Sequence, residues 1–146
     1  MTTSRLLAGL LFLAASHAHA FDFKSVGRPM AILYDTPSAK GNKLYVAPAG
    51  MPLQVMLSYG EWVKVRDMNG DVAWTQARAL SPRRNVLVRN PGAKVFSEAD
   101  EGATVLMTAD KGVLLELVDP KALTWARVRH RDGIIGYIKV SDVWGL

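Results

Sequence analysis

The chain has 146 residues, 49% of them apolar and 21% charged, with a formal net charge of +5 and no cysteine. The missing thiols exclude disulfides, thiol nucleophiles and thiolate metal sites, so stability must come from packing alone. The basic surplus is modest and no stripe exceeds the pair Arg83-Arg84, which argues against a nucleic-acid-binding face.

The N-terminus carries Arg5, an apolar run from Leu6 to Ala15, and then Ser16-His17-Ala18-His19-Ala20 with small residues at Ala18 and Ala20. The run falls well short of the roughly 20 apolar residues that cross a bilayer. The pattern is that of a secretory signal peptide over residues 1–20, cleaved after Ala20. No cysteine follows it to accept a lipid. The expected product begins at Phe21, is periplasmic or secreted, and keeps no membrane span.

Downstream, short strand signals alternate with frequent turn signals, and no window sustains a helical period, so the expected class is all-β. Ala31 to Tyr34 reads as a strand, followed by the loop Asp35 to Asn42. Leu44 to Val46 is a second strand, ending at Ala47-Pro48-Ala49-Gly50, and Pro52 to Tyr59 is a third. Trp62 to Arg66 and Val72 to Thr75 form a hairpin. Its Asn69-Gly70 dipeptide fits a tight primed turn. Gln76 to Leu80 then has room for a single helical turn.

The sequence now begins again. Val26, Pro29, Ala31, Tyr34, Gly50 and Leu53 match Val88, Pro91, Ala93, Phe96, Gly112 and Leu115 at an offset of 62. From Trp62 onward the offset is 63, pairing Trp62, Lys64, Arg66, Gly70 and Trp74 with Trp125, Arg127, Arg129, Gly133 and Tyr137. One module is therefore encoded twice, and the expected units are residues 21–82 and 83–146. At about 60 residues each unit buries little surface alone. The short connection Ser81 to Asn85 makes mutual support the expectation.

The hairpin residues carry a resemblance. Gly60-Glu61-Trp62-Val63-Lys64-Val65-Arg66 with Gly70 behind it, and Trp125-Ala126-Arg127-Val128-Arg129 with Gly133, resemble bacterial Src-homology-3-like (SH3b) domains, in particular tandem members exported to the cell envelope. The resemblance covers nearly all of the chain beyond the signal. In place of the Leu-Asn-Val-Arg segment with which such domains often begin, the chain has Ala31-Ile32-Leu33-Tyr34 and Ala93-Lys94-Val95-Phe96. The resemblance implies two small SH3-like β-barrels of five to six strands, packed together and used for binding peptidoglycan or protein partners, with a groove beside the Asp35 to Asn42 loop.

Strand side chains alternate between faces, so Trp62, Lys64 and Arg66 share one face, as do Trp125, Arg127 and Arg129. Two readings fit. The cationic stems either shield the indoles from water, or the face is a platform on which a sugar or apolar peptide group stacks while the cations meet carboxylates. Tyr34, Tyr45 and Tyr59 flank the loop and turn and are further ligand-binding candidates. Trp74 and Tyr137 read as core or inter-copy packing, and Trp144 as a cap on the second barrel.

Catalysis has little to work with. His130 is the one histidine beyond the signal segment, it lies between two arginines, and no nucleophile or orienting carboxylate can be assigned to it from sequence. Glu98, Asp100 and Glu101 lack the ligand spacing of a calcium loop, so neither metal nor cofactor is expected. Removing Arg5 leaves 18 − 1 = 17 basic and 13 acidic residues. Phe21 to Val86 holds nine basic and five acidic residues and Leu87 to Leu146 eight of each, so the surplus belongs to the first copy. An exported basic surface suits an anionic envelope polymer. The expected partner is peptidoglycan, with an envelope protein as the alternative, and not nucleic acid.

Overall fold

The computed structural model describes residues 21–120 and 123–146; the expected signal segment lies outside them. The first copy contributes β1 (Asp22–Val26), β2 (Met30–Tyr34), β3 (Lys43–Pro48), β4 (Pro52–Tyr59), β5 (Trp62–Arg66), β6 (Val72–Gln76) and β7 (Leu80–Ser81). The second contributes β8 (Asn85–Val88), β9 (Ala93–Phe96), β10 (Val105–Ala109), β11 (Leu114–Leu117), β12 (Trp125–Arg129), β13 (Ile135–Lys139) and β14 (Val143–Trp144). Single 3₁₀ turns at Ala77–Ala79 and Val140–Asp142 precede the last strand of each copy.

Each copy is one antiparallel seven-stranded sheet, in the order β3-β2-β6-β5-β4-β1-β7 and β10-β9-β13-β12-β11-β8-β14. The second order is the first shifted by seven strands, so the sequence repeat is a repeat of topology. Seven strands replace the expected five to six because the opening strand of each copy pairs with two partners. Ser25 and Val26 of β1 face Ser81 and Leu80, and Val88 and Leu87 of β8 face Val143 and Trp144.

The two cores are built from matching positions. Val26, Ala31, Leu33, Ala47, Leu53, Val63 and Val65 are buried in the first, and Val88, Ala93, Val95, Ala109, Leu115, Ala126 and Val128 in the second. Burial alternates along β5 and β12, as a sheet with one face on a core requires. Thr75 is buried in the first copy where Ile138 is buried in the second, and its hydroxyl donates to the Ile32 carbonyl at 3.0 Å. That bond satisfies a polar group that burial would otherwise leave unpaired.

The hairpin turn differs from the primed type expected. The Asp67 N–H donates to the Asp71 carbonyl and the Gly70 N–H to the Asp67 carbonyl, both at 3.0 Å, so three residues form the loop. Among the described residues only glycines have positive φ, with Gly70 at 90° and Gly133 at 92°. Asn69 does not take a positive φ, and glycine alone supplies the left-handed step of a three-residue hairpin.

The copies are in contact. The Phe23 and Trp144 rings meet edge to face at 5.0 Å, the Asn85 amide donates to the Gly50 carbonyl at 2.9 Å, and the Arg84 guanidinium carbon stands 5.9 Å from the Phe23 ring centre. A Cβ at Gly50 would come within 2.8 Å of the Leu114 side chain. Trp144 therefore joins the two units, where the sequence suggested a cap on the second alone.

Candidate ligand-binding site

Alternation on β5 sends Val63 and Val65 inward and leaves Trp62, Lys64 and Arg66 half-buried on the outer face. Pairing then adds neighbours to that face. Tyr59 lies across from Trp62, Trp74 across from Lys64, and Tyr34 across from Trp74. Tyr34 and Trp62 meet edge to face at 5.3 Å, and Tyr59 and Trp74 at 6.5 Å. Lys64 Nζ stands 6.0 Å from the Trp74 ring centre, at the outer limit of a cation–π contact. The shielding cation thus covers Trp74 and not Trp62, and Trp74 is a half-buried outer-face residue instead of core. Arg66 sits at the far end of the strand, opposite Gln54 and Val72.

Tyr45 has a different task. It packs against the first core, and its hydroxyl donates to Asp67 Oδ2 at 2.8 Å while Asp67 Oδ1 accepts the Asp71 N–H at 2.9 Å. Asp67 is only 5% exposed. Burial, reinforced by the hydrogen bond and charge of Asp67 and the charge of Asp71, pushes the Tyr45 phenol well above the usual tyrosine range. The pair locks the hairpin turn. In the second copy the corresponding residues are Met107 and His130, and there His130 Nδ1 accepts the Asp132 N–H at 3.2 Å. The Asp132 carboxylate also stands 3.3 Å from Nδ1, a partner that sequence reading did not assign.

In the second copy Phe96 and Trp125 repeat the Tyr34–Trp62 contact at 5.5 Å and 90°. Trp125 also forms one wall of an open hollow of about 680 Å³. The other walls are Ala99 to Glu101, Leu123 and Thr124, and Lys139 to Ser141. An ion pair between Lys139 Nζ and Glu101 Oε1 sits among them. The loop carrying Glu101 is held by its own hydrogen bonds: Ser97 N–H to the Thr104 carbonyl at 2.9 Å, and Gly102 N–H to Asp100 Oδ1 at 3.0 Å. It is the counterpart of the Asp35 to Asn42 loop, which Asp35 closes by accepting both the backbone and side-chain N–H of Asn42. Leu123 is 91% exposed at the mouth.

The candidates therefore divide. Tyr34, Tyr59, Trp62 and Lys64 come together with Trp74 in the first copy, and Trp125 lies in its own hollow in the second. Arg127 is exposed opposite Tyr137. Arg129 lies four residues beyond Trp125, its Nη1 3.5 Å from Glu116 Oε2. Sequence reading missed Glu101, Leu123 and Lys139, which other elements deliver to Trp125, although Lys139 follows the matched Tyr137 by two residues and so shares its face. Among the described residues no group of three or more histidine, aspartate or glutamate side chains could hold a metal ion.

Two curled antiparallel sheets in tandem, each with an aromatic hairpin strand beside a loop, define a tandem SH3-like protein. The chain belongs to the bacterial SH3 domain family, which it matches twice, over residues 27–82 and 89–145. No curated protein sequence matches it. Among solved structures it is similar to NlpC2 from Trichomonas vaginalis, at 15% identity and a TM-score of 0.40, covering 86% of this chain and 48% of that one. It is likewise similar to NlpC1 from the same organism, at 14% identity and a TM-score of 0.40, covering 94% of this chain and 50% of that one. The chain spans about half the length of each. Neither likeness carries the assignment, which rests on the two domain matches. No helix among the described residues is long and apolar enough to cross a membrane.

Proposed function

We propose that the chain is a non-catalytic binding module exported to the cell envelope, and that it recognises peptidoglycan through the hollow beside Trp125 and the matching face at Trp62. The observation that carries this reading is the pairing of a flat aromatic wall with the Lys139–Glu101 ion pair in one open hollow. The indole and Leu123 offer apolar surface to a sugar face or a peptide methyl group, as binding hot spots do. The ion pair can exchange its partners for the amine and carboxylate groups of a stem peptide. Family membership supports a binding role, and the N-terminal apolar segment supports export to the periplasm. The chemistry asked of these residues is recognition alone, with no metal or cofactor.

A second reading, an assembly subunit that binds a segment of another envelope protein, is favoured by β3. That strand lies at the edge of the first sheet, and Leu44 and Val46 on it are exposed, with Met30 exposed on its neighbour. An apolar edge strand is a template for strand addition.

Calorimetric titration with soluble muropeptides tests the first reading. The parent chain is expected to bind saturably, and Trp125→Phe, which keeps an aromatic edge for Phe96 but shrinks the wall, to bind about tenfold more weakly, equivalent to about 1.4 kcal/mol. Equal affinity in the folded variant would remove the hollow from the account.

A further inference from the structure

A second and larger cleft, of about 780 Å³, lies between the two copies, away from the hollow at Trp125. The first copy supplies Ser25 and Arg28 and the connection supplies Arg83. The second copy supplies Glu116, Arg129, His130 and Arg131. Four arginines thus share one concavity with a single carboxylate, and that carboxylate is already engaged by Arg129. Among the described residues Arg28, Arg83 and Arg131 make no ion pair. Like charges gathered in a cleft repel one another and focus a positive field into it, a cost that a bound anion reverses. The guanidinium fork presents paired N–H donors that match the two oxygens of a carboxylate or phosphate. The cleft also holds an unsatisfied neutral group. Ser25 is 1% exposed, lines the cleft, and its Oγ has no hydrogen-bond partner. A buried hydroxyl in that state is the exception in folded proteins.

We propose that this inter-copy cleft binds a ligand bearing two or more oxyanion groups, with Arg28, Arg83, Arg129 and Arg131 as the charged contacts and Ser25 as a hydroxyl donor. Neither copy contains the site by itself. The cleft exists because Asn85 reaches the Gly50 carbonyl and glycine at 50 lets Leu114 approach, so the contacts that join the copies also assemble the arginines. This gives the tandem arrangement a role that two separated modules could not fill. It rests on different residues from the hollow at Trp125, and either could fail without the other.

The test is calorimetric titration of the intact chain with inorganic pyrophosphate and, separately, with citrate, in low salt. Saturable binding of one or both is expected, weakening as salt screens the contacts. A preference for pyrophosphate assigns phosphate groups to the ligand, and a preference for citrate assigns carboxylates. The triple variant Arg28→Gln, Arg83→Gln, Arg131→Gln should bind about tenfold more weakly, the combined effect expected of several exposed charge contacts. Glu116→Gln, which removes the lone carboxylate and frees Arg129, should bind a few-fold more tightly. Trp125→Phe should bind as the parent does. Absence of saturable binding to either anion, parent-like affinity in the triple variant, or loss of binding in Trp125→Phe would each overturn the proposal. If the triple variant does not fold, Glu116→Gln decides alone, since affinity that fails to rise there contradicts an arginine-lined site.

Discussion

Shortening Leu53 to alanine is expected to lower the unfolding free energy by about 2–5 kcal/mol, the range for deleting a fully buried leucine side chain. Leu53 is completely buried at the centre of the first core, and its repeat partner Leu115 holds the same place in the second at 1% exposure. Against a total of roughly 5–15 kcal/mol for an ordinary domain, the loss is severe for units of this size. The effect should not stop at the first copy. Phe23 packs on Trp144, Asn85 donates to the Gly50 carbonyl, and the Arg84 guanidinium lies beside the Phe23 ring across the junction. Each copy therefore loses partners when the other opens. Calorimetry should show one transition for the parent chain and one, at lower temperature, for Leu53→Ala. A two-step melt in which the second copy keeps the parent midpoint would show that the junction contributes nothing to stability.

Removing the Asp67 carboxylate should destabilise the first copy by about 1–3 kcal/mol, because Asp67→Ala leaves the Tyr45 hydroxyl and the Asp71 N–H without acceptors. Asp67→Asn keeps an acceptor oxygen for one of those two donors and should cost less. His130→Ala, at the matching place, should cost less again, since Met107 stands where Tyr45 does and has no hydroxyl to satisfy. The pair also fixes a pH dependence. Burial and Asp67 raise the folded-state phenol of Tyr45 above its unfolded value of about 10. Between those values the unfolded chain has released the proton and the folded chain has kept it, so stability falls as pH rises above about 10. Below that pH the contribution is fully present. Denaturant titrations in the alkaline range should show this slope in the parent and its reduction in Tyr45→Phe; equal slopes in both would remove Tyr45 as the source.

The sequence disclosed what repeats along the chain and withheld what meets across it. The offsets of 62 and 63 paired Leu53 with Leu115 and Val65 with Val128, and period-two alternation put Trp62, Lys64 and Arg66 on one face, because both signals are local or copied. Tyr45 and Asp67 lie 22 residues apart on separate elements, and nothing in either segment announces the other. The turn type was misread because Asn-Gly is compatible with two hairpin geometries, and strand register, a tertiary property, chose between them. The shielding reading placed Lys64 beside Trp62, its neighbour along the strand, whereas the structure sets it against Trp74, directly across the ladder. The arginine cleft was the least legible. Arg28, Arg83 and Arg131 look like scattered surface charges until the junction between the copies brings them together.

The direct measurement of the central claim is sedimentation of the purified chain with peptidoglycan sacculi. The account predicts that the parent chain pellets with the sacculi, that added salt releases part of it by screening the ionic contacts, and that Trp125→Phe pellets measurably less while remaining folded. A parent chain that stays in the supernatant at low salt would contradict the wall-binding reading and leave the exposed β3 edge, and with it a protein partner, as the account of this molecule.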